Sequence, residues 1–267
     1  MARSHRPGTE TLVVEVGGVR IGGGTPVVIA GPCTVESRRQ VLEAARTALD
    51  EGADMLRGGV FKTRTSPYDF QGMGQKGLDL MAEARARTGL PFVTEAIDPR
   101  HVEAVAAVAD MVQVGTRNMH NTALLKEIGR AGKPVLLKRG WASTLAEWLC
   151  AAEYVALAGS RAIVLCERGI RTDPTGRHAH PSIDYGILRE VRKATYLPVI
   201  VDPSHGTEAA SKVPAACSRA LEAGADGLIV EILPRGWAAK DVHCDGHQSV
   251  SATALAAIVR RARAAGR

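Results

Sequence analysis

The stretch EAGADGLIVE, residues 222–231, leaves a helix through a Gly turn, enters a short apolar run and closes on a carboxylate. A glycine just past the last helical residue ends a helix, and four apolar residues are too few for another, so GLIV reads as a strand. Its end at Glu231 would be buried at considerable cost unless the carboxylate is paired or metal-bound. The same punctuation stands earlier in EGADML, residues 51–56. Working outward, seven further apolar runs end in a polar residue: VVIAGPC to Cys33, ADMLRGG with Arg57, PFVTEA with Glu95, MVQVGTR to Arg117, PVLLK to Lys138, AIVLCER to Arg168 and PVIVDPSH to His205. Helical stretches are expected between them at 37–50, 74–87, 100–107, 123–131, 144–157, 185–194, 209–223 and 249–264.

Eight strands alternating with eight helices define the class as α/β. Strands apolar throughout, without clean alternation, are expected where helices cover one sheet face and a filled interior the other. The 267 residues match the roughly 250 typical of an eight-fold barrel, so the expectation is a (β/α)8 TIM barrel. Ahead of it, TLVVEVGGVRIGGG (11–24) reads as a β-hairpin around Gly17 and Gly18 that caps the barrel floor. The whole chain, 1–267, is expected to be one catalytic domain, with 1–24 as extension and hairpin and no regulatory domain. In such a barrel all strand C-termini open on one face, where the eight polar ends would converge.

A formal charge of +6 with 4% aromatic residues, and no Lys/Arg run of five or more, argues against nucleic acid and for a pocket that takes anionic metabolites. Five cysteines at 33, 150, 166, 217 and 244 form no CxxC pair and cannot all pair within one chain, which fits reduced thiols in the cytoplasm. The N-terminus lacks an apolar signal region and no long apolar run exists, so no membrane association is expected.

Cys33, His205, Glu231 and Asp245 combine one soft, one borderline and two hard ligands, a set that suits Mn, Fe, Co or Zn. Taken singly, Cys33 also reads as a small buried hydrophobe, His205 as a turn histidine and Asp245 as the N-cap of the last helix. A second set, Arg57, Lys62, Arg64, Arg117, Lys138, Arg139 and Arg168, would repel itself without an anion. Arg with Lys is the usual construction for phosphate and carboxylate. The glycines of RGGVFKTRTSP let backbone approach a ligand, and Thr65 and Ser66 offer hydroxyls to a second phosphate.

In combination, GPCTVES, RGGVFKTRTSPYDFQG, VGTRNM, LLKRG, CERGIR, VDPSHG, VE and DGHQS resemble the 3-deoxy-D-arabino-heptulosonate 7-phosphate (DAHP) synthases, in particular the short microbial type Iβ, from about Val27 to Ser251. The 3-deoxy-D-manno-octulosonate 8-phosphate synthases share the barrel but generally carry Asn at the Cys33 position or use different acceptor motifs. The resemblance implies metal ligands at Cys33, His205, Glu231 and Asp245, a Mn-type divalent cofactor, phosphoenolpyruvate on Arg57, Lys62, Arg117, Lys138 and Arg168, and the phosphate of erythrose 4-phosphate on Arg64, Thr65 and Ser66. It implies a metal-dependent aldol-type condensation that opens the shikimate pathway of aromatic amino acid biosynthesis. Lys62, with Cys33 and His205, forms the expected catalytic set, and crowding by cations would lower the Lys62 amine toward a useful range.

The chain departs from the family at Thr63, where KPRTS is usual, at 173–184 after strand six, and at 232–245, where a longer loop would bring Trp237, His243 and Cys244 beside Asp245. These departures leave open another aldose or aldose phosphate acceptor, a Schiff-base aldolase using Lys138, or a catalytically silent binding homologue. A homodimer or homotetramer is expected, with any feedback control supplied by a regulatory protein partner or an interface.

Overall fold

The structure, a computed structural model, describes residues 10–171 and 181–266. The expected departure at 173–180 and the first nine residues of the N-terminal extension lie outside the described residues. Two short antiparallel strands, β1 (Val14–Val16) and β2 (Val19–Ile21), form the hairpin. Eight parallel strands follow: β3 (Val27–Gly31), β4 (Met55–Arg57), β5 (Phe92–Glu95), β6 (Met111–Val114), β7 (Val135–Lys138), β8 (Ile163–Glu167), β9 (Val199–Val201) and β10 (Gly227–Glu231). They close into a barrel in chain order, β10 pairing with β3.

The helices alternate with the strands as expected: α1 (Arg38–Asp50), α2 (Gln75–Thr88), α3 (Val102–Val108), α4 (Thr122–Arg130), α5 (Leu145–Ala158), α6 (Gly186–Ala194), α7 (Pro203–Thr207), α8 (Val213–Glu222) and α9 (Ala252–Ala264). Two differences concern the site. The five-residue α7, opened by the Asp202 side chain as N-cap, carries His205 and precedes the helix expected at 209–223. Helix α9 is capped by Ser251, whose hydroxyl accepts from Ala254 N–H, so Asp245 is not its N-cap.

Two buried apolar layers explain the strand pattern. Val27, Ile29, Met55, Val93, Met111, Leu136, Val164, Cys166, Ile200 and Ile229 fill the barrel interior, and Val14, Val16 and Ile21 of the hairpin close it from below. Each of those three hairpin side chains is buried, stabilising the plug by about 1.5–3 kcal/mol apiece. The residues of opposite parity, such as Val28, Ala30, Leu228 and Val230, belong to the second layer beneath the helices.

Parity then fixes which polar ends reach the cavity, because side chains two residues apart share a face. Two steps beyond Met55, Val93, Met111, Leu136, Cys166, Ile200 and Ile229 stand Arg57, Glu95, Gln113, Lys138, Arg168, Asp202 and Glu231. Arg139 and Glu167 have the opposite parity. They meet outside the barrel at 3.0 Å, with Asp184 also 3.2 Å from the Arg139 guanidinium, so Arg139 leaves the expected cation set.

Candidate active site

Strand register assembles a group of side chains that could hold a metal ion. Glu231 stands opposite Gly31, and Ile29 opposite Met55, so Arg57 and Glu231 flank Gly31 at one height. Only glycine fits between them: a Cβ at Gly31 would lie 1.9 Å from the Arg57 carbonyl oxygen. Two residues on, Cys33 reaches the cavity, α7 supplies His205, and the loop after β10 supplies Asp245. One donor atom from each of these four lies within 4.8 Å of the other three.

The contacts within the group are close. Cys33 Sγ donates to Asp245 Oδ2 at 3.0 Å, and Lys62 Nζ lies 2.7 Å from the sulfur and 2.9 Å from that carboxylate oxygen. His205 Nε2 stands 3.3 Å from Glu231 Oε1, while its Nδ1 meets Asp202 Oδ2 at 2.8 Å. A carboxylate on one ring nitrogen orients the other toward a ligand, the usual support of a metal-binding imidazole. Glu231 is fully buried; Oε2 accepts from Gln248 at 2.8 Å, whereas Oε1 completes no hydrogen bond. Arg57 Nη1 approaches Oε1 to 3.1 Å, but the angle is wrong for a hydrogen bond and the contact is electrostatic. A buried carboxylate oxygen left in this way, among a thiol, an imidazole and a second carboxylate, fits a divalent cation.

Electrostatics follow the same geometry. Burial, then the Glu231 charge, pushes the Cys33 thiol well above its ordinary range. Burial pushes Asp245 up, but Lys62 and the Cys33 hydrogen bond hold it below the usual carboxylate range. Burial outweighs Asp202 and Glu231 at His205 and lowers it, favouring the neutral imidazole that ligates metals. Asp245 itself adopts a left-handed backbone (φ 51°), a conformation that non-glycine residues hold at a cost and that concentrates at functional sites.

Lys62 corrects an expectation. Its neighbours are Cys33, Glu231 and Asp245, and although burial pulls its amine down, these anions hold it well above the ordinary value. Cation crowding therefore does not lower it in this arrangement.

The cations line two connected cavities. The inner, of about 370 Å³, is bordered by Cys33, Arg57, Lys62, Gln113, Lys138 and His205. The outer, of about 840 Å³, opens past Arg64, Thr65, Arg168 and Asp245. Lys138 is buried and paired with the fully buried Asp202 at 2.5 Å, reaching past the small Cys166 on the strand between them. Arg168 is buried too. Among the described residues, Arg57 Nε, Arg168 Nε and Thr116 Oγ1 are buried without hydrogen-bond partners, and Arg57 borders the inner cavity while Thr116 and Arg168 border the passage from it. Donors left unpaired around a cavity are placed for an anion.

Other expected members stand differently. Ser66 does not border the outer cavity; its hydroxyl accepts from Tyr68 N–H in a turn. Arg64 pairs with Asp69 at 3.1 Å and donates to Cys244 Sγ. Glu95 accepts from Gln113 at 2.8 Å. Trp237 lies away from Asp245, its indole N–H donating to Glu43 of α1 at 2.6 Å. Reading the runs by their last residue missed Gln113, Thr116 and Asp202, although counting inward parity finds Gln113 and Asp202. Glu36 was missed as well: its two carboxylate oxygens accept the N–H groups of His243 and Cys244, each at 2.9 Å, and so tie the Asp245 loop to the Cys33 segment.

A parallel barrel whose open end joins a mixed thiol, imidazole and carboxylate group to an array of cations is built for enzymatic chemistry on phosphate-bearing anions. The chain matches the family model described as the DAHP synthetase I family over residues 9–262, and it belongs to that family. It is 42% identical over 250 residues to the phospho-2-dehydro-3-deoxyheptonate aldolase of Thermotoga maritima, covering 94% of this chain and 72% of that relative. It is 34% identical over 258 residues to the 2-dehydro-3-deoxyphosphooctonate aldolase of Syntrophotalea carbinolica, covering 89% of this chain and 90% of the relative. The crystal structure of the Thermotoga maritima aldolase, a DAHP synthase, superposes with a TM-score of 0.89 at 40% identity, covering 97% of this chain and 74% of that one. A truncated form of the synthase from the same organism gives 0.86 at 37% identity, covering 97% and 92%. The family is metal-dependent.

Proposed function

We propose that this chain is a transferase that condenses phosphoenolpyruvate with D-erythrose 4-phosphate and one water, giving 3-deoxy-D-arabino-heptulosonate 7-phosphate and inorganic phosphate, the first step of the shikimate pathway: C3 of phosphoenolpyruvate bonds to the aldehyde carbon, water adds at C2, and the phosphate leaves. One observation carries the reading: the four-residue donor group and the unpaired donors of Arg57, Thr116 and Arg168 face connected cavities in a chain 42% identical to such an aldolase.

In this reading Cys33, His205, Glu231 and Asp245 hold a divalent metal of the Mn, Fe, Co or Zn type. When bound, it supplies Lewis-acid polarisation of the aldehyde oxygen and offsets the negative charge of the donor group. Arg57, Lys138, Arg168 and Arg117 bind phosphoenolpyruvate, neutralise its phosphate and carboxylate, and hold its C3 against the aldehyde carbon. Lys62, protonated and hydrogen-bonded beside Cys33 and Asp245, is the group placed to give a proton to the new hydroxyl oxygen. Arg64 and Thr65 receive the acceptor's phosphate from the loop after β4. The Lys138–Asp202 pair is built for binding, which argues against the Schiff-base alternative. We place the whole chain in one cytoplasmic catalytic unit that assembles as a homodimer or homotetramer.

A second acceptor is favoured by one finding, the 34% identity to an octonate aldolase. Phosphoenolpyruvate contributes three carbons, so a heptonate product needs a four-carbon aldose phosphate and an octonate a five-carbon one. Phosphate release from phosphoenolpyruvate, measured with erythrose 4-phosphate and with arabinose 5-phosphate in the presence of Mn, separates them. Release dependent on erythrose 4-phosphate, with a seven-carbon product by mass, is the expected result. Release only with the pentose phosphate overturns the acceptor assignment, and release with neither overturns the condensation.

A further inference from the structure

At the mouth of the cavity three guanidinium groups gather round one indole. The guanidinium carbons of Arg171, Arg117 and Arg168 lie 4.2, 4.7 and 5.7 Å from the centroid of the Trp141 ring system. They arrive from three neighbouring barrel positions: Arg117 just past β6, Trp141 just past β7, and Arg168 and Arg171 just past β8. The backbone holds the last two loops in contact, since Arg171 N–H donates to the Trp141 carbonyl at 2.8 Å. Like charges so placed repel. Burial and the neighbouring Arg168 and Arg171 charges hold the Arg117 guanidinium below its ordinary value. The negative face of an aromatic ring attracts a guanidinium, so the indole offsets part of that repulsion and fixes the planes of the groups stacked on it.

The array is ordered by depth. Arg168, buried, and Arg117 border both the passage from the inner cavity and the outer cavity. Trp141 and Arg171 border the outer one. With phosphoenolpyruvate on the inner cations, an aldehyde whose carbonyl meets its C3 must extend its far end outward. On one side of the outer cavity Arg64 and Thr65 line it from the loop after β4. The other side presents Arg171.

We propose that Trp141 is a positioning residue that holds Arg117, Arg168 and Arg171 as one array, and that Arg171, the outermost, binds the phosphate of the acceptor aldose from the side opposite Arg64 and Thr65 and so helps select phosphorylated aldehydes. The inference rests on the condensation reading and adds to it the group that recognises the acceptor's far end.

Steady-state kinetics on Arg171→Ala, Arg171→Lys, Trp141→Phe and Trp141→Ala, with kcat and both KM values resolved, test it. A charge-assisted contact at an exposed site predicts that Arg171→Ala raises KM for the aldose phosphate about tenfold. KM for phosphoenolpyruvate should stay within about twofold, and the penalty should shrink to below about twofold when the acceptor is the unphosphorylated aldose. Arg171→Lys should recover part of the loss. Trp141→Phe, which keeps an aromatic face, should hold both KM values near wild type, whereas Trp141→Ala should raise both. An unchanged KM for the aldose phosphate in Arg171→Ala, an equal rise for phosphoenolpyruvate, or equal losses in Trp141→Phe and Trp141→Ala would overturn the proposal. Melting curves establish that the Arg171 variants are folded, and they decide the question even where Trp141→Ala is not. Wild-type protein inert with every aldose sinks the condensation reading itself, while active wild type indistinguishable from Arg171→Ala sinks this inference alone.

Discussion

Asp202 shows how one side chain can serve the fold and the site together. Fully buried, it places Oδ2 at 2.5 Å from Lys138 Nζ and at 2.8 Å from His205 Nδ1, while Oδ1 caps α7 through the His205 N–H. Burial pushes this carboxylate up, but His205 and Lys138 hold it well below the usual range. Asp202→Ala should leave Lys138 buried without its partner, at a cost of about 3–5 kcal/mol in urea unfolding. A loss below about 1 kcal/mol would show that the pair is not structurally engaged. Glu36 makes the complementary case at the surface of the site. Glu36→Ala should weaken metal binding by about 10- to 100-fold in a chelator competition, because Asp245 loses the anchor of its loop. Unaltered metal affinity would contradict that role. At this scale the sequence was legible where a residue ends an apolar run, as with Arg57, Lys138 and Glu231. It was less legible where identity misleads: Arg139 adjoins Lys138 but points the other way, and Gln113 and Asp202 are found only by counting alternate positions from the interior.

The elements divide into those coded by local pattern and those coded by contacts made elsewhere. Helix α5 is of the first kind. Thr144 Oγ1 accepts from Glu147 N–H, and the Glu147 carboxylate returns to Thr144 N–H at 2.8 Å, a complete capping box readable as TLAE. Thr144→Ala should destabilise the chain by about 1 kcal/mol in denaturant unfolding; no change would mean the cap is redundant. The excursion after β10 is of the second kind. Its Arg235 N–H donates to Thr47, the Arg235 guanidinium meets Glu51, and Trp237 reaches Glu43, so the segment is strapped along α1 before it turns back to present Asp245. Nothing within 232–245 has a helix or strand period, and its course depends on partners some two hundred positions earlier. For a related reason α7 escaped sequence reading: PSHGT is one short turn containing proline and glycine, stabilised by the Asp202 cap.

Across the whole molecule, the eight-strand order was legible because every barrel strand is a short apolar run flanked by helix and turn signals, and the hairpin because Gly17 and Gly18 divide two such runs. The charge balance was legible only as a total. In the fold many of the cations are spent on surface ion pairs, and a smaller set faces the cavity. Several surface carboxylates held by such pairs or by a helix cap tie stability to pH. Arg38 holds Glu83, Arg100 holds Asp98 and the Thr144 N–H holds Glu147 below their ordinary carboxylate values of 4.5, 3.8 and 4.5. A carboxylate lowered on folding contributes stability above its unfolded value and loses it as pH falls through the folded one. The melting temperature should therefore fall as pH drops below about 4.5, with the slope reduced at high salt because these pairs are exposed. A melting temperature that rises over that interval would contradict the sign.

In the proposed enzyme one barrel end holds a divalent metal on Cys33, His205, Glu231 and Asp245 within reach of phosphoenolpyruvate and an aldose phosphate. Phosphate release with phosphoenolpyruvate and erythrose 4-phosphate, after chelation and again after restoring Mn, tests it most directly in the wild type and in Cys33→Ala. Chelation should abolish release, Mn should restore it in the wild type, and Cys33→Ala should stay inactive with metal affinity reduced. Full release in excess chelator, with Cys33→Ala as active as the wild type, would contradict it.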